Sequence, residues 1–347
     1  MRTCPRCRLD HPDELTVCPD DGTPLVEPAP WPEGTVIQGK YRVVAKIGED
    51  VICTVYKAHQ LKNEQLCTLH VMSWGLACDP AFVKLFEQDA LQRRKLQHAA
   101  IARVEGVGAA DDGRPFIVME YVTGQSLKRY IELEAPFAPV RACALAWQVA
   151  SALDAAHALG MIHRDVKPDS IYLLDGTAEK IKLLGLGISK LREALLGDRF
   201  RTSPEAVIGT FQYLSPEQAL GHLGSQLDGR ADLYALGVVM YQMLTRELPF
   251  QAKSAADWMM AHIQSVPTSI RVAYAQLGIP EPLINLVMQC LHKNREQRPA
   301  SARQFMRDLE RVEGELGGND IAAPAAPKPA PPETRKPSPG WMFWKKQ

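Results

Sequence analysis

The chain has 347 residues, 46% of them hydrophobic and 7% aromatic, enough for one sizeable folded domain with small additions. Forty Lys and Arg balance forty Asp and Glu, so no excess of charge points to nucleic acid or another polyanion as a partner. No apolar run reaches the roughly 18–20 residues of a membrane span, and no signal-peptide pattern opens the chain, so a cytoplasmic protein is expected. The eight cysteines agree with a reducing compartment. Three lie in a metal-like pattern, and Cys53, Cys67, Cys78, Cys143 and Cys290 are expected to act as small buried hydrophobes.

The first element is residues 1–27. Cys4-Pro5-Arg6-Cys7 and Cys18-Pro19-Asp20-Asp21-Gly22 form two turn-like knuckles with ten residues between them. The pair resembles a zinc ribbon, in which each knuckle offers two ligands to a tetrahedral ion. Cys4, Cys7 and Cys18 supply three ligands; the fourth is Asp21, three after Cys18, or His11 in the intervening loop. The competing reading is an unfolded tail with free thiols. Against it, Leu15, Val17, Leu25 and Val26 are too few to fold the segment by burial, and a structural zinc would staple it. A ribbon closed around its ion has no catalytic position, so protein interaction is its expected role. Pro28, Pro30 and Pro32 then mark a stiff linker over 28–40.

From Tyr41 apolar residues alternate through Ile47-Gly48-Glu49-Asp50-Val51-Ile52-Cys53-Thr54-Val55-Tyr56-Lys57-Ala58, as in a two-stranded hairpin with one exposed face. Phe116-Ile117-Val118-Met119-Glu120-Tyr121-Val122 is a buried strand running into a connector. Downstream stand His163-Arg164-Asp165-Val166-Lys167-Pro168-Asp169-Ser170, then Gly185-Leu186-Gly187, Gly209-Thr210, Ser215-Pro216-Glu217, Asp228-Gly229-Arg230-Ala231-Asp232 and Arg298-Pro299. In this order the motifs resemble the protein kinases, with the texture of bacterial serine/threonine kinases of the eukaryotic type. The resemblance implies an α+β, two-lobed fold over 41–313: an N-lobe at 41–119, a hinge at 120–123 and a helical C-lobe at 124–313. It also implies a pairing of Arg298 with Glu217.

In that family phosphoryl transfer is mostly positioning and charge neutralisation, and the resemblance assigns each role to a position here. Asp165 takes the place of the catalytic base, and Lys167 that of the contact to the transferred phosphate. Gly48 keeps the first glycine of the phosphate-covering loop, but Asp50 and Cys53 replace the second and third, and Asp50 would set negative charge beside a triphosphate. His70 stands where the phosphate-binding Lys belongs. Asp89 stands where its Glu partner belongs, so His70 and Asp89 are expected to form a shortened copy of that pair. Both magnesium-ligand positions are changed: Gly185 replaces an Asp and Ser170 an Asn. Around the base, Val55 matches the roof, Thr68 replaces an Ala, Met119 is the gatekeeper, and Glu120 and Val122 belong to the hinge. Tyr172 replaces an aliphatic floor residue, where it could stack on a base, fill the pocket or turn to solvent.

Residues that hold the large lobe together are retained (His163, Arg164, Glu217, Asp232, Arg298), while those that handle phosphate and metal are mostly gone. The expected function is a pseudokinase acting as a scaffold or allosteric adaptor. The alternatives are a feeble serine/threonine kinase using Asp165 and a kinase fold with other nucleotide chemistry. ATP and Mg²⁺ are the cofactors the resemblance implies, and the replaced positions argue against their use. Thr202, Ser203 and Thr210, near Arg199 and Arg201, could receive phosphate from an active kinase, with Arg164 as its receiver, or be ordinary loop residues. Residues 314–347 form a Pro- and Ala-rich tail, expected to be disordered, ending in Trp341-Met342-Phe343-Trp344-Lys345-Lys346. Its aromatics read as a docking peptide for another protein or a membrane surface, or as a patch that folds back on the domain.

Overall fold

A computed structural model describes residues 2–4, 6, 7, 10, 11, 14–25, 30–176, 179–187, 191 and 211–317. Two short strands, β1 (Arg2–Thr3) and β2 (Asp10–His11), pair antiparallel at the N-terminus. The N-lobe is a six-stranded antiparallel sheet of β3 (Val36–Ile37), β4 (Tyr41–Glu49), β5 (Cys53–Gln60), β6 (Leu66–Met72), β7 (Val104–Ala109) and β8 (Pro115–Glu120), in spatial order β3-β4-β5-β6-β8-β7. Helices α1 (Trp74–Ala77) and α2 (Pro80–Arg94) follow β6. Asp79 caps α2, accepting the amides of Ala81 and Phe82 at 2.9 and 3.4 Å, and Pro80 takes the first helical position, where no amide is needed.

Strand alternation sorts the sheet into two faces. Cys67, Leu69, Val71, Phe116 and Val118 join Val43, Tyr56 and Ala58 on one side. Ile117 and Met119 face the other side with Ile52, Met72 and the α2 residues Phe82, Phe86 and Ala90. His70 pairs with Ile117 and Thr68 with Met119, so both polar side chains of β6 point toward α2 and the space between the lobes. Sequence period alone therefore delivers His70 to the cleft.

The C-lobe begins with β9 (Gly124–Ser126), α3 (Leu127–Glu134) and α4 (Pro139–His157). Strands β10 (Ile171–Leu174) and β11 (Ile181–Leu183) complete a three-stranded sheet with β9. Then come α5 (Pro216–Ala219), α6 (Arg230–Thr245), α7 (Ala255–Gln264), α8 (Ile270–Ala273), α9 (Glu281–Cys290) and α10 (Ala302–Gly317). Helix α6 is the axis of this lobe, with nearly every residue buried. Gly237 lets α9 approach it closely: a Cβ there would lie 2.6 Å from Cys290 Cβ. A parallel bridge between Ile101 and Leu183 joins the lobes.

Three departures from the sequence reading concern the edges of the domain. The stretch read as linker contains β3, and Trp31 stacks on Tyr56 at 5.0 Å, with the Arg114 guanidinium over both the Trp31 and Trp74 rings. Helix α10 continues to Gly317, past the expected boundary at 313. Cys78 is exposed in the turn after α1, not buried like Cys53, Cys67, Cys143 and Cys290. The tail aromatics and the activation-segment residues Arg199, Arg201, Thr202, Ser203 and Thr210 lie outside the described residues. Among the described residues no helix is long and apolar enough to cross a membrane.

Candidate active site and cysteine cluster

The loop carrying Asp165 is held from below. Buried Asp232, on α6, accepts the amides of His163 and Arg164 at 2.9 and 2.7 Å and contacts His157 Nε2 at 2.7 Å. Burial alone would raise its carboxyl, but these partners hold it below the usual value. His163 Nε2 reaches the Leu184 carbonyl at 2.9 Å, which ties the loop to the end of β11. Lys167 Nζ bonds both oxygens of Asp165, at 3.0 and 2.8 Å. Ser170 turns inward: its hydroxyl accepts the Lys167 amide at 3.1 Å and has the Lys167 carbonyl as acceptor at 2.8 Å. The side chain at this metal-ligand position is a strut of its own loop. Lower in the same lobe, Arg298 makes two 2.8 Å bonds to Glu217, both side chains being buried.

Gly185 follows β11 with φ +86°, and among the described residues a Cβ there would meet His163 Cε1 alone, at 3.8 Å. Gly187, at φ +88°, is tightly confined: a Cβ would lie 2.6 Å from Asp89 Oδ2 and 2.9 Å from Arg93. Helix α2 thus presses directly on this segment.

At the phosphate end the expected His70–Asp89 bond is not formed. Asp89 instead pairs with Arg93, one turn along α2, at 2.7 Å, and each side chain is 5% exposed. His70 Nε2 lies 3.3 Å from Thr68 Oγ1, the neighbouring inward residue of β6. Burial, with the nearby Arg93 charge, pushes the His70 pKa down to about 4, so the ring is neutral near pH 7. Arg93 was missed from the sequence because it opens a basic run, Arg93-Arg94-Lys95, that looks like a solvated helix end. The one available signal was its four-residue spacing from Asp89.

The loop between β4 and β5 is also folded differently from expectation. Asp50 does not point at an open phosphate site. Its Oδ1 accepts the amides of Ile52 and Cys53, both at 2.8 Å, so the carboxylate caps its own loop. Ile52, at the tip, is 1% exposed and packs with Met72, Phe82, Phe86 and Leu191. Farther out, Gly48 pairs with Val55, and both are half-buried. Thr68 and Met119 are buried, Val122 is half-buried against Met119, and Tyr172 is half-buried on β10 opposite Ser126 and Lys182. Lys182 Nζ donates to Glu120 at 2.9 Å, an ion pair at the first residue of the hinge.

Residues 41–309 match the protein kinase domain family. The chain is 38% identical over 291 residues to the serine/threonine-protein kinase pkn3 of Myxococcus xanthus, covering 83% of this chain and 53% of that protein. The chain belongs to the bacterial serine/threonine protein kinase family. It is also 34% identical over 281 residues to PknB of Mycobacterium tuberculosis, covering 80% of this chain and 43% of the relative. It thus spans about half the length of these relatives or less. The crystal structure of the Mycobacterium tuberculosis PknI kinase domain superposes with a TM-score of 0.61 at 24% identity, over 82% of this chain and all of that one, which establishes the shared two-lobed fold.

The kinase fold implies ATP with Mg²⁺, and the residues of this cleft do not fit that pair. The ion prefers carboxylate oxygens, but the two ligand positions hold Gly185 and an inward-bonded Ser170. The loop amides that would face phosphate are engaged by Asp50. Among the described residues, cavities of about 10 Å³ each lie between the lobes, two of them lined by Arg93 and Met119. Each is about the size of one water probe.

The cysteine cluster fits a metal better. Cys4, Cys7, Cys18 and Asp21 present ligand atoms within 4.8 Å of one another; His11 shares a second set with Cys7, Cys18 and Asp20, without Cys4. Asp21, not His11, is therefore the residue grouped with all three cysteines. Cys7 and Cys18 sulfurs are 3.6 Å apart, and Cys4 Sγ lies 3.3 and 3.5 Å from the Asp21 oxygens. A tetrahedral zinc with bonds of about 2.3 Å to sulfur and 2.0–2.2 Å to oxygen would set such edges at about 3.5–3.8 Å. The Cys7 amide donates to Cys4 Sγ at 3.3 Å, and the Gly22 amide returns to the Cys18 carbonyl at 3.0 Å, so both knuckles are turns. Cys78 Sγ approaches the Cys7 carbonyl at 3.8 Å, placing the first knuckle beside α1.

Proposed function

We propose that the chain is a pseudokinase, a signalling scaffold or allosteric adaptor with little or no phosphoryl transfer. The observation that carries the reading is the metal end of the cleft, where Gly185 has no side chain and the Ser170 hydroxyl is bonded within its own loop. Loss of one preorganised charge contact commonly costs about 10²–10³ in rate. Here the Lys, Asp and Asn positions of the family are replaced together, and even non-additive losses of that kind leave ordinary chemistry very slow. The alternative, a weakly active serine/threonine kinase, is favoured by the retained Asp165–Lys167 pair and by relatives that are named serine/threonine-protein kinases. Incubation with radiolabelled ATP and Mg²⁺ or Mn²⁺ separates the two. No incorporation is expected, and incorporation that disappears in Asp165→Ala would establish the alternative.

The cysteine module is proposed to hold one structural zinc through Cys4, Cys7, Cys18 and Asp21, and to serve with the kinase surface and the aromatic tail as a contact for other proteins, an active kinase among them. Metal analysis of the purified chain should find one equivalent, reduced more by Asp21→Ala than by His11→Ala. Deleting 341–347 should abolish partner capture with the melting temperature nearly unchanged. A large drop in melting temperature would instead place those aromatics on the domain.

A further inference from the structure

The cysteine cluster offers more donor atoms than one tetrahedral ion can use. Its two ligand sets have the sulfurs of Cys7 and Cys18 in common and no other atom. Cys4 and Asp21 complete the first set, and His11 and Asp20 complete the second. Within each set all four ligand atoms lie within 4.8 Å of one another. The sets therefore diverge from one edge, the 3.6 Å separation of the Cys7 and Cys18 sulfurs. On the second side His11 Nε2 lies 3.5 Å from Cys18 Sγ. A tetrahedral ion with bonds of about 2.3 Å to sulfur and 2.0–2.1 Å to nitrogen sets that edge at about 3.5–3.6 Å.

Local backbone produces the split. The β1–β2 pairing sets His11 opposite Arg2, so β1 leads on to Cys4 while β2 ends at His11. In the second knuckle the Cys18 amide donates to the Thr23 carbonyl at 2.8 Å, and the Gly22 amide to the Cys18 carbonyl at 3.0 Å. The Thr23 amide also donates to Asp21 Oδ1 at 2.9 Å, which fixes that carboxylate on the side of Cys4. Its neighbour Asp20 is left to the other set, on the exposed side of the turn. Cys4, Cys18 and His11 are buried, Cys7 is half-buried, and Asp20 alone of the six ligands is fully exposed.

We propose that Cys7 and Cys18 are bridging thiolates, and that the module takes a second thiophilic divalent ion, Zn²⁺ or Cd²⁺, through His11 and Asp20. The proposal rests on the zinc reading of Cys4, Cys7, Cys18 and Asp21 for the first ion, and on the second ligand set for the rest. A thiolate bound to one ion keeps lone pairs for another. Three thiolates and one carboxylate around a divalent ion also leave an excess of negative charge, which attracts a second cation. The second ion binds more weakly than the first, because its sulfurs are shared, the two cations repel, and water competes at exposed Asp20. The first ion is thus the staple of the module and the second an exchangeable occupant that follows the free metal concentration. The bridge also lies where the module meets the N-lobe, since the Cys7 carbonyl is 3.8 Å from Cys78 Sγ beside α1.

The test is titration of the full chain, purified with its first zinc, against Zn²⁺ in a competing chelator, with native mass spectrometry to count ions. A second equivalent should bind. His11→Gln and, separately, Asp20→Asn should weaken it at least about tenfold while the first equivalent stays. Asp20 is exposed, so its variant serves if the histidine variant unfolds. Cadmium NMR of the cadmium-loaded chain supplies the signature of bridging: two resonances, coupled to each other through the shared sulfurs, with one of them lost in His11→Gln. A second equivalent that survives both substitutions is a surface site elsewhere and overturns the proposal. Two uncoupled resonances overturn the bridging role of Cys7 and Cys18. A first ion with no second contradicts this proposal alone, whereas a chain that binds no ion contradicts the zinc reading beneath it.

Discussion

Removing Asp89 tests whether the ion pair within α2 is sealed from solvent as the structure indicates. Asp89 and Arg93 are each 5% exposed and 2.7 Å apart; Arg93 lines one cavity with Leu96, Ile101, Ala102, Met119 and Leu186 and another with Asp50 and His70. Asp89→Ala leaves a buried guanidinium without the carboxylate it is paired with. Breaking a buried pair in this way costs about 3–5 kcal/mol. For a domain of this size that is a fall in melting temperature of about 6–20 °C. Replacing both residues, Asp89→Ala with Arg93→Met, removes the charges together and lets the introduced thioether side chain fill the space with apolar atoms. The double variant should recover to the parent stability or exceed it by up to about 4 kcal/mol. Urea denaturation followed by circular dichroism measures both. If Asp89→Ala loses less than about 1 kcal/mol, or the double variant is no better than the single one, Arg93 is solvated or otherwise neutralised and the argument from burial fails.

Three further outcomes follow from the geometry. Arg298→Ala should cost about 3–5 kcal/mol, because it strands buried Glu217, and Arg298→Lys should not rescue it, since an ammonium cannot reproduce the paired 2.8 Å bonds; a urea midpoint near the parent's for either variant would refute this. His70 and His262 are depressed from 6.5 to about 4 and about 3 by burial, so the unfolded chain takes up protons first as the pH falls. Their stabilising contribution is complete above about pH 6.5 and is lost on descent toward the folded values; His70→Gln should flatten part of the fall in urea midpoint between pH 6.5 and 4, and an unchanged slope would rule the residue out. Gly185→Asp should fold, because Asp tolerates positive φ better than most side chains and, among the described residues, the atom near its Cβ is His163 Cε1 at 3.8 Å; a melting temperature more than about 10 °C below the parent's would show that the position admits glycine alone.

Much of this protein was legible because its signals are local. The run from His163 to Ser170, the hairpin alternation from Tyr41 to Ala58 and the distant Glu217 and Arg298 each announce a kinase lobe through residue type and order. Strand period alone determined that His70 and Thr68 share one side of β6, and the register with β8 set Ile117 and Met119 beside them. The absence of a side chain at Gly185 is likewise a property of the sequence. What the sequence left open was the choice among partners. Asp89 was matched from the sequence with His70 on another element, and the structure pairs it instead with Arg93, one turn away on α2. Asp50 could have faced a ligand or its own backbone, and the close return of the Ile52 and Cys53 amides decided for the backbone. Cys78 shares its residue type with the four buried cysteines of the kinase domain, yet the turn after α1 leaves it exposed. Residue identity sets which charges and donors exist, but long-range packing sets the distances between them, and Coulomb attraction and hydrogen bonding depend on those distances.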